Sequence, residues 1–177
     1  MSQPAWADIN LGVPVITPNG PNFVWAYPVN LDAAQFINTA GFNASFITLY
    51  DVPGLVDNGV SFTSNLGTLS GVGSTPLLGM TPPGFVIADS PLMENATVAF
   101  TGTAASNQTI GTLLMVDQFS TPDGNTVQYA AQATNLDLSP ERNSTFVASP
   151  APEPGTLALV GTVLVGGVVA LRRRLFG

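Results

Sequence analysis

The sequence predicts an all-β fold: an antiparallel β-sandwich of about seven or eight strands, then a flexible linker and a single C-terminal transmembrane helix. Short stretches of apolar–polar alternation recur at spacings of about 8–15 residues, divided by Gly, Pro and Asn, as in stacked antiparallel sheets. No convincing soluble helix interrupts them. The last stretch differs in kind. Thr156–Leu171 has no charged or amide side chain, shows no one-sided stripe, and runs straight into Arg172, Arg173 and Arg174. A helix apolar on every face belongs in a large core or a bilayer, and this body is too small to wrap one.

The chain opens with Met1-Ser2-Gln3-Pro4-Ala5-Trp6-Ala7-Asp8, with neither a basic n-region nor an apolar h-region. Ala5-Trp6-Ala7 is a small-x-small triplet of the kind that precedes signal-peptide cleavage. Residues 1–7 therefore read as a signal-peptide remnant, with Ala5 and Ala7 at the cleavage site and the apolar part encoded upstream of Met1. Ile9, Leu11, Val13 and Val15 then alternate with Asn10, Gly12 and Pro14, forming a strand in which Pro14 favours an edge position. Pro18-Asn19-Gly20-Pro21 is a turn, because Asn-Gly accepts positive φ. Phe23, Trp25, Tyr27, Val29 and Leu31 share one face of the strongest strand.

Asp32–Ala40 is either one helical turn or a loop crossing between sheets. Ser45–Tyr50 is a strand closed by Asp51-Val52-Pro53-Gly54, and a weaker strand follows around Val60–Thr63. The Gly-, Ser-, Thr- and Pro-rich region beyond it reads as loop, Gly71-Val72-Gly73 included, with a short strand at Phe85–Ala88. Asn95–Gly102, Gly111–Asp117 and Thr126–Thr134 complete the set, the last entered through the hairpin turn Pro122-Asp123-Gly124-Asn125. Asn135–Ala151, polar and containing proline, reads as a flexible tether.

A chain of 177 residues has room for one domain with a real core plus a tail. Charged residues make up only 8%, so solubility falls to Asn, Ser, Thr and Gln, a surface suited to water and sugars. Before Pro152 there are ten acidic residues and one basic residue, Arg142, which leaves the body at about −9. Such a body repels nucleic acid and anionic lipid. With no cysteine there are no disulfides, and the redox compartment stays open.

The same composition narrows the chemistry. His, Cys and Lys are all missing, which removes the Ser-His-Asp triad, the thiol nucleophile and the Schiff-base lysine. Paired carboxylates could still hydrolyse glycosides, but the acidic residues lie singly at strand ends and turns, where Asp is ordinary. The chain is expected to be no enzyme and to hold no cofactor. Metal binding could only be by oxygen: Asp117 with Asp123-Gly124-Asn125 near one hairpin, or Asp51 and Asp57 around a turn. Neither group has EF-hand spacing, and both read as turns. Trp25 and Tyr27 could stack on a sugar; in phase with Phe23, Val29 and Leu31, they are assigned to the core. Asn-x-Ser/Thr triplets at Asn43, Asn95, Asn107 and Asn143 are ordinary in a chain so rich in these residues.

The C-terminal run is short for a membrane span. Its sixteen residues at about 1.5 Å each reach about 24 Å, against ~30 Å of hydrocarbon. Bilayer thinning, or arginine snorkelling with Leu175-Phe176, must supply the rest. Arg172–Arg174 stay cytoplasmic, so everything before Pro152 faces outward. Pro152-Glu153-Pro154, the short apolar span and the three arginines, in that order, resemble the PEP-CTERM sorting signal. That resemblance covers only residues 152–177. It implies recognition by a membrane-embedded exosortase, removal of the tail, and delivery of the body to the cell surface or matrix of an exopolysaccharide-making bacterium.

Three stretches of the body, Trp25-Ala26-Tyr27, Thr48–Gly54 and Ala88-Asp89-Ser90-Pro91, also resemble segments that recur in other proteins with this tail; none has a known active site. The expected organisation is a signal remnant (1–7), a β-sandwich body (8–134), a linker (135–151) and the sorting signal (152–177). The expected function is that of an exported structural or adhesive protein of the exopolysaccharide matrix. The alternatives are a lectin-like carbohydrate-binding module, with or without calcium, and an unprocessed membrane-anchored envelope protein.

Overall fold

Alternation along the strongest strand decides which way the first sheet faces. In the computed structural model, which describes residues 9–32, 35–39, 44–104, 107–120, 126–135 and 137–149, Trp25, Tyr27, Val29 and Leu31 are fully buried on one face of a ten-residue strand. The expectations at Ala5 and Ala7, at the 122–125 turn, and at Pro152, Glu153, Pro154, 156–171 and Arg172–Arg174 lie outside the described residues.

The described residues are all-β, in two antiparallel sheets. One sheet contains β1 (Ile9–Leu11), β2 (Val15–Asn19), β3 (Asn22–Leu31), β6 (Leu55–Ser64) and β9 (Gln108–Asp117). The other contains β4 (Gln35–Phe36), β5 (Phe46–Leu49), β7 (Leu69–Ser74), β8 (Ala96–Gly102), β10 (Thr126–Asn135) and β11 (Pro140–Ala148). The first runs β1-β3-β9-β6, with β2 also on β3; the second runs β11-β10-β5-β8-β7, with β4 on β10. Their inner faces share one core, with Trp25, Leu113 and Met115 from the first sheet against Ile47, Val98 and Tyr129 from the second. Each such side chain contributes about 1.5–3 kcal/mol by leaving water. Phe62 meets Phe100 edge to face across the two layers, with centroids 5.1 Å apart.

The described residues form eleven strands rather than seven or eight, for four local reasons. First, the single strand expected over Ile9–Val15 is broken. Leu11 faces Val29 and Val15 faces Ala26, so four residues advance on one side against three on the other. The extra residue is a bulge at Gly12-Val13-Pro14, where Pro14 has no N–H to give to a ladder. It reverses the phase: Val13 and Val15 turn outward, and Ile16 packs against the core instead.

Second, the undecided stretch after Asp32 contributes the two-residue β4, paired to the end of β10. Third, Gly71-Val72-Gly73 is not loop but the middle of β7. β6 and β7 are the edges of opposite sheets and press together there. A Cβ on Gly71 would come within 2.9 Å of Phe62, and one on Gly73 would overlap the Val60 carbonyl. Glycine lets the two backbones meet. The short strand expected at Phe85–Ala88 is absent; those residues belong to the long β7–β8 loop.

Fourth, the expected tether over Asn135–Ala151 contains β11, which pairs with β10 from Pro140 opposite Thr134 to Ala148 opposite Thr126. The polar sequence concealed it because an edge strand can keep most of its side chains wet. Arg142 Nε donates to Gln132 Oε1 at 3.0 Å, Gln128 Nε2 donates to Ser144 Oγ at 2.8 Å, and Val147 alone turns into the core cluster. Pro140 sits at the first position, where a missing N–H is tolerated. The folded body thus runs to Ser149, which is itself buried.

Candidate functional site

Antiparallel pairing fixes which loops surround the point where the chain leaves the sandwich. β11 finishes at Ala148 opposite the start of β10, and β5 finishes at Leu49 beside it, with Tyr50 N donating to Gln128 O at 2.9 Å. β7 also finishes at this end, with Ser74 opposite Thr97 near the start of β8. From the other sheet come the end of β9 and the start of β6, where Asp117 faces Leu55. Tyr27 ties the layers together by donating its hydroxyl to Ala148 O at 2.8 Å. Burial, with the nearby Asp117 carboxylate, raises the pKa of that phenol far above its ordinary value, so it stays a donor.

The three stretches singled out in the body meet at this end. Trp25 Nε1 donates to Phe119 O at 2.8 Å, and Trp25 stacks near Tyr27 with centroids 6.3 Å apart. Asp51 Oδ1 accepts from Ser90 N at 2.9 Å. Between them lies Asn95, fully buried, whose side chain accepts from Asp51 N at 2.8 Å. Its amide nitrogen donates to Asp89 Oδ1 at 3.0 Å and Pro76 O at 3.1 Å. Asp89 Oδ2 in turn accepts from Gly79 N at 2.8 Å. Asn95, read from the sequence only as one of four Asn-x-Ser/Thr triplets, pins the β7–β8 loop to the sandwich. Buried on all sides, it is no glycan acceptor.

Of the acidic groups considered for a metal, Asp123-Gly124-Asn125 lies outside the described residues, and Asp51 and Asp57 bond to separate partners. Asp51 serves the loop just described, and Asp57 Oδ1 accepts from Thr75 Oγ1 at 3.1 Å. No cluster of three or more His, Cys, Asp or Glu able to hold an ion occurs among the described residues. Trp25 and Tyr27, weighed as a sugar platform, are wholly buried.

Asp117 is the unexpected member of this end. It continues the buried phase of Leu113 and Met115, a signal that was present in the sequence. Oδ1 accepts from Phe119 N at 2.8 Å, while Oδ2 is buried without a partner. Burial pushes the carboxyl up to about 6, an effect that the backbone N–H groups of Phe119 and Gln118 partly offset. Raised from 3.8, the folded-state value lets the native chain hold a proton that the unfolded chain has lost. Stability is therefore expected to fall as pH rises from about 4 to about 6, by about 2–3 kcal/mol in all. Asp117→Asn should flatten this slope and stabilise the fold at neutral pH, as read by urea midpoints across pH. A slope unchanged in the variant would refute the assignment.

Residues 150–174, beginning directly after this end, match the family model described as the PEP-CTERM protein-sorting motif. The chain carries that motif, which indicates an exported protein sorted by an exosortase toward the cell surface. No curated protein and no solved structure matches the chain.

Proposed function

We propose that the body is a structural or adhesive protein of the cell surface, without enzymatic activity, that works in an extracellular polysaccharide matrix after its tail is removed. In this reading Pro152, Glu153 and Pro154 are the element the exosortase recognises. Residues 156–171 are a transient membrane span, and Arg172, Arg173 and Arg174 hold its cytoplasmic end. The observation that carries the reading is the placement of the matched motif. It starts at residue 150, one residue past Ser149, and the last core residue among the described ones is Val147. Cutting at the motif would release an intact sandwich.

A structural role suits the body's surface, whose described carboxylates at the tail end are engaged in turn and loop geometry rather than gathered in a cleft. A groove of about 240 Å³ between the Gly12–Pro14 bulge and the end of β11 is lined by Leu11, Pro14, Phe146 and their neighbours, with no carboxylate.

The test is the intact mass of the exported protein in a host with the sorting enzyme. Wild type is expected to lack the C-terminal segment. A chain with Pro152→Ala, Glu153→Ala and Pro154→Ala together should keep its full length and stay in the membrane fraction. Full-length wild-type product in the matrix would sink the proposal. So would unchanged trimming of the triple variant.

A further inference from the structure

We propose that the β7–β8 loop, residues 75–95, docks on the lipid surface that holds the C-terminal tail, so that this end of the sandwich rests on the bilayer. The inference depends on the reading of 156–171 as a membrane span and adds a second contact to it.

The loop is built inside out for a segment in water. Its polar groups turn inward: Asn95 is buried, and Asp89 is spent on Asn95 and the Gly79 N–H. Tyr50 reaches in from the sandwich and donates to Met80 O at 2.7 Å. The apolar side chains turn outward. Seven of the twelve exposed large hydrophobics among the described residues fall in this one loop, including Leu77, Leu78, Met80, Phe85, Val86 and Leu92. Leu92 is 90% exposed and Val86 wholly so. Apolar side chains gathered on one surface element, with the polar groups beneath them already bonded, call for a partner that excludes water.

Placement says which partner. The loop leaves from Ser74 and returns at Ala96, at the end of the sandwich where β11 stops at Ala148. Between Ser149 and the first residue of the apolar run lie only residues 150–155. Fully stretched, they span about 20 Å, so a tail in the bilayer keeps this end close to its surface. The loop contains no Lys, Arg or His, so its fit is to the apolar interfacial zone and not to anionic headgroups.

Because the chain has no native cysteine, single reporters can be placed in the full-length protein reconstituted in phosphatidylcholine vesicles. An environment-sensitive fluorophore is attached at Leu78→Cys, Leu92→Cys, Val163→Cys or, at the opposite end of the sandwich, Leu138→Cys. Positions 78, 92 and 138 are all exposed, which spares the fold. Docking is expected to shift emission at 78 and 92 to the blue, and to reduce quenching by aqueous iodide severalfold relative to 138. Nitroxide-bearing lipid should quench 78, 92 and 163 but not 138. If 163 is quenched by the lipid while 78 and 92 remain as open to iodide as 138, the docking is wrong and the span stands. If 163 is not quenched, the span itself is wrong and the docking falls with it. Concentration-dependent self-quenching at 92 without lipid quenching would identify a second copy as the occupant and overturn the proposal.

Discussion

Trp25→Ala is expected to cost about 3–5 kcal/mol of folding stability, the range for removing a large buried aromatic side chain. Trp25 has no exposed surface and sits in the middle of the shared core. Its loss leaves a cavity between the layers, an unstacked Tyr27, and a Phe119 carbonyl deprived of its indole donor. The carbonyl accounts for about 1 kcal/mol of the total, and the cavity for most of the rest. Urea unfolding followed by far-UV circular dichroism gives the number. Trp25→Phe should fall between, because it removes the donor but keeps a smaller aromatic ring in the site. A loss under about 1 kcal/mol for the alanine variant would show that Trp25 does not hold the layers together.

Gly73→Ala is expected to destabilise by about 3 kcal/mol, at the upper end of what one added methyl does in a packed interior. The atoms it would strike are backbone, the carbonyl of Val60 on the facing edge strand, with Ser61 N at 2.8 Å behind it. A flexible side chain could rotate away; a strand in a ladder cannot. β6 would have to leave β7, exposing the edge-to-face pair of Phe62 and Phe100. Gly67→Ala is the control, since nothing lies within 4 Å of a Cβ there. Equal midpoints for the two variants in the same urea series would contradict the close approach.

The fold class was legible because burial alternates where the sequence alternates, most plainly in β3, where Trp25 to Leu31 repeat every second residue. The hairpin turn within Pro18–Pro21 was legible from chemistry; its loop is Gly20-Pro21, since Asn19 still pairs with Asn22, and Gly20 has a positive φ of 62°. Periodicity failed where tertiary contact replaces it. β7 carries glycines because the Val60 backbone lies on Gly73 and the Phe62 and Val98 side chains lie on Gly71, and glycine carries no hydropathy signal. β11 is an edge strand whose polar face outweighs the single core contact of Val147. The bulge at Gly12–Pro14 shifts register by one residue, and a strict period-two reading carries Val13 and Val15 to the wrong face.

The sorting motif was legible for a different reason: three chemically unlike parts stand in fixed order within a few turns of chain. At the tail end, by contrast, Asn95 was visible only as one Asn-x-Ser/Thr triplet, and Asp117 only as a turn carboxylate in phase with Leu113 and Met115. Their roles come from partners far away in sequence, such as Asp51 for Asn95 and Gly54 beside Asp117.

One feature of β11 bears on how the body responds to tension. The strand points toward the end where the chain leaves, and its nine residues are paired along their whole length with β10. A pull on residue 150 and beyond acts along the strand and nearly at right angles to its hydrogen bonds. The bonds are then loaded together in shear, not opened one after another like a zipper. A load applied at the C-terminal end is therefore taken up by the whole β10–β11 seam at once.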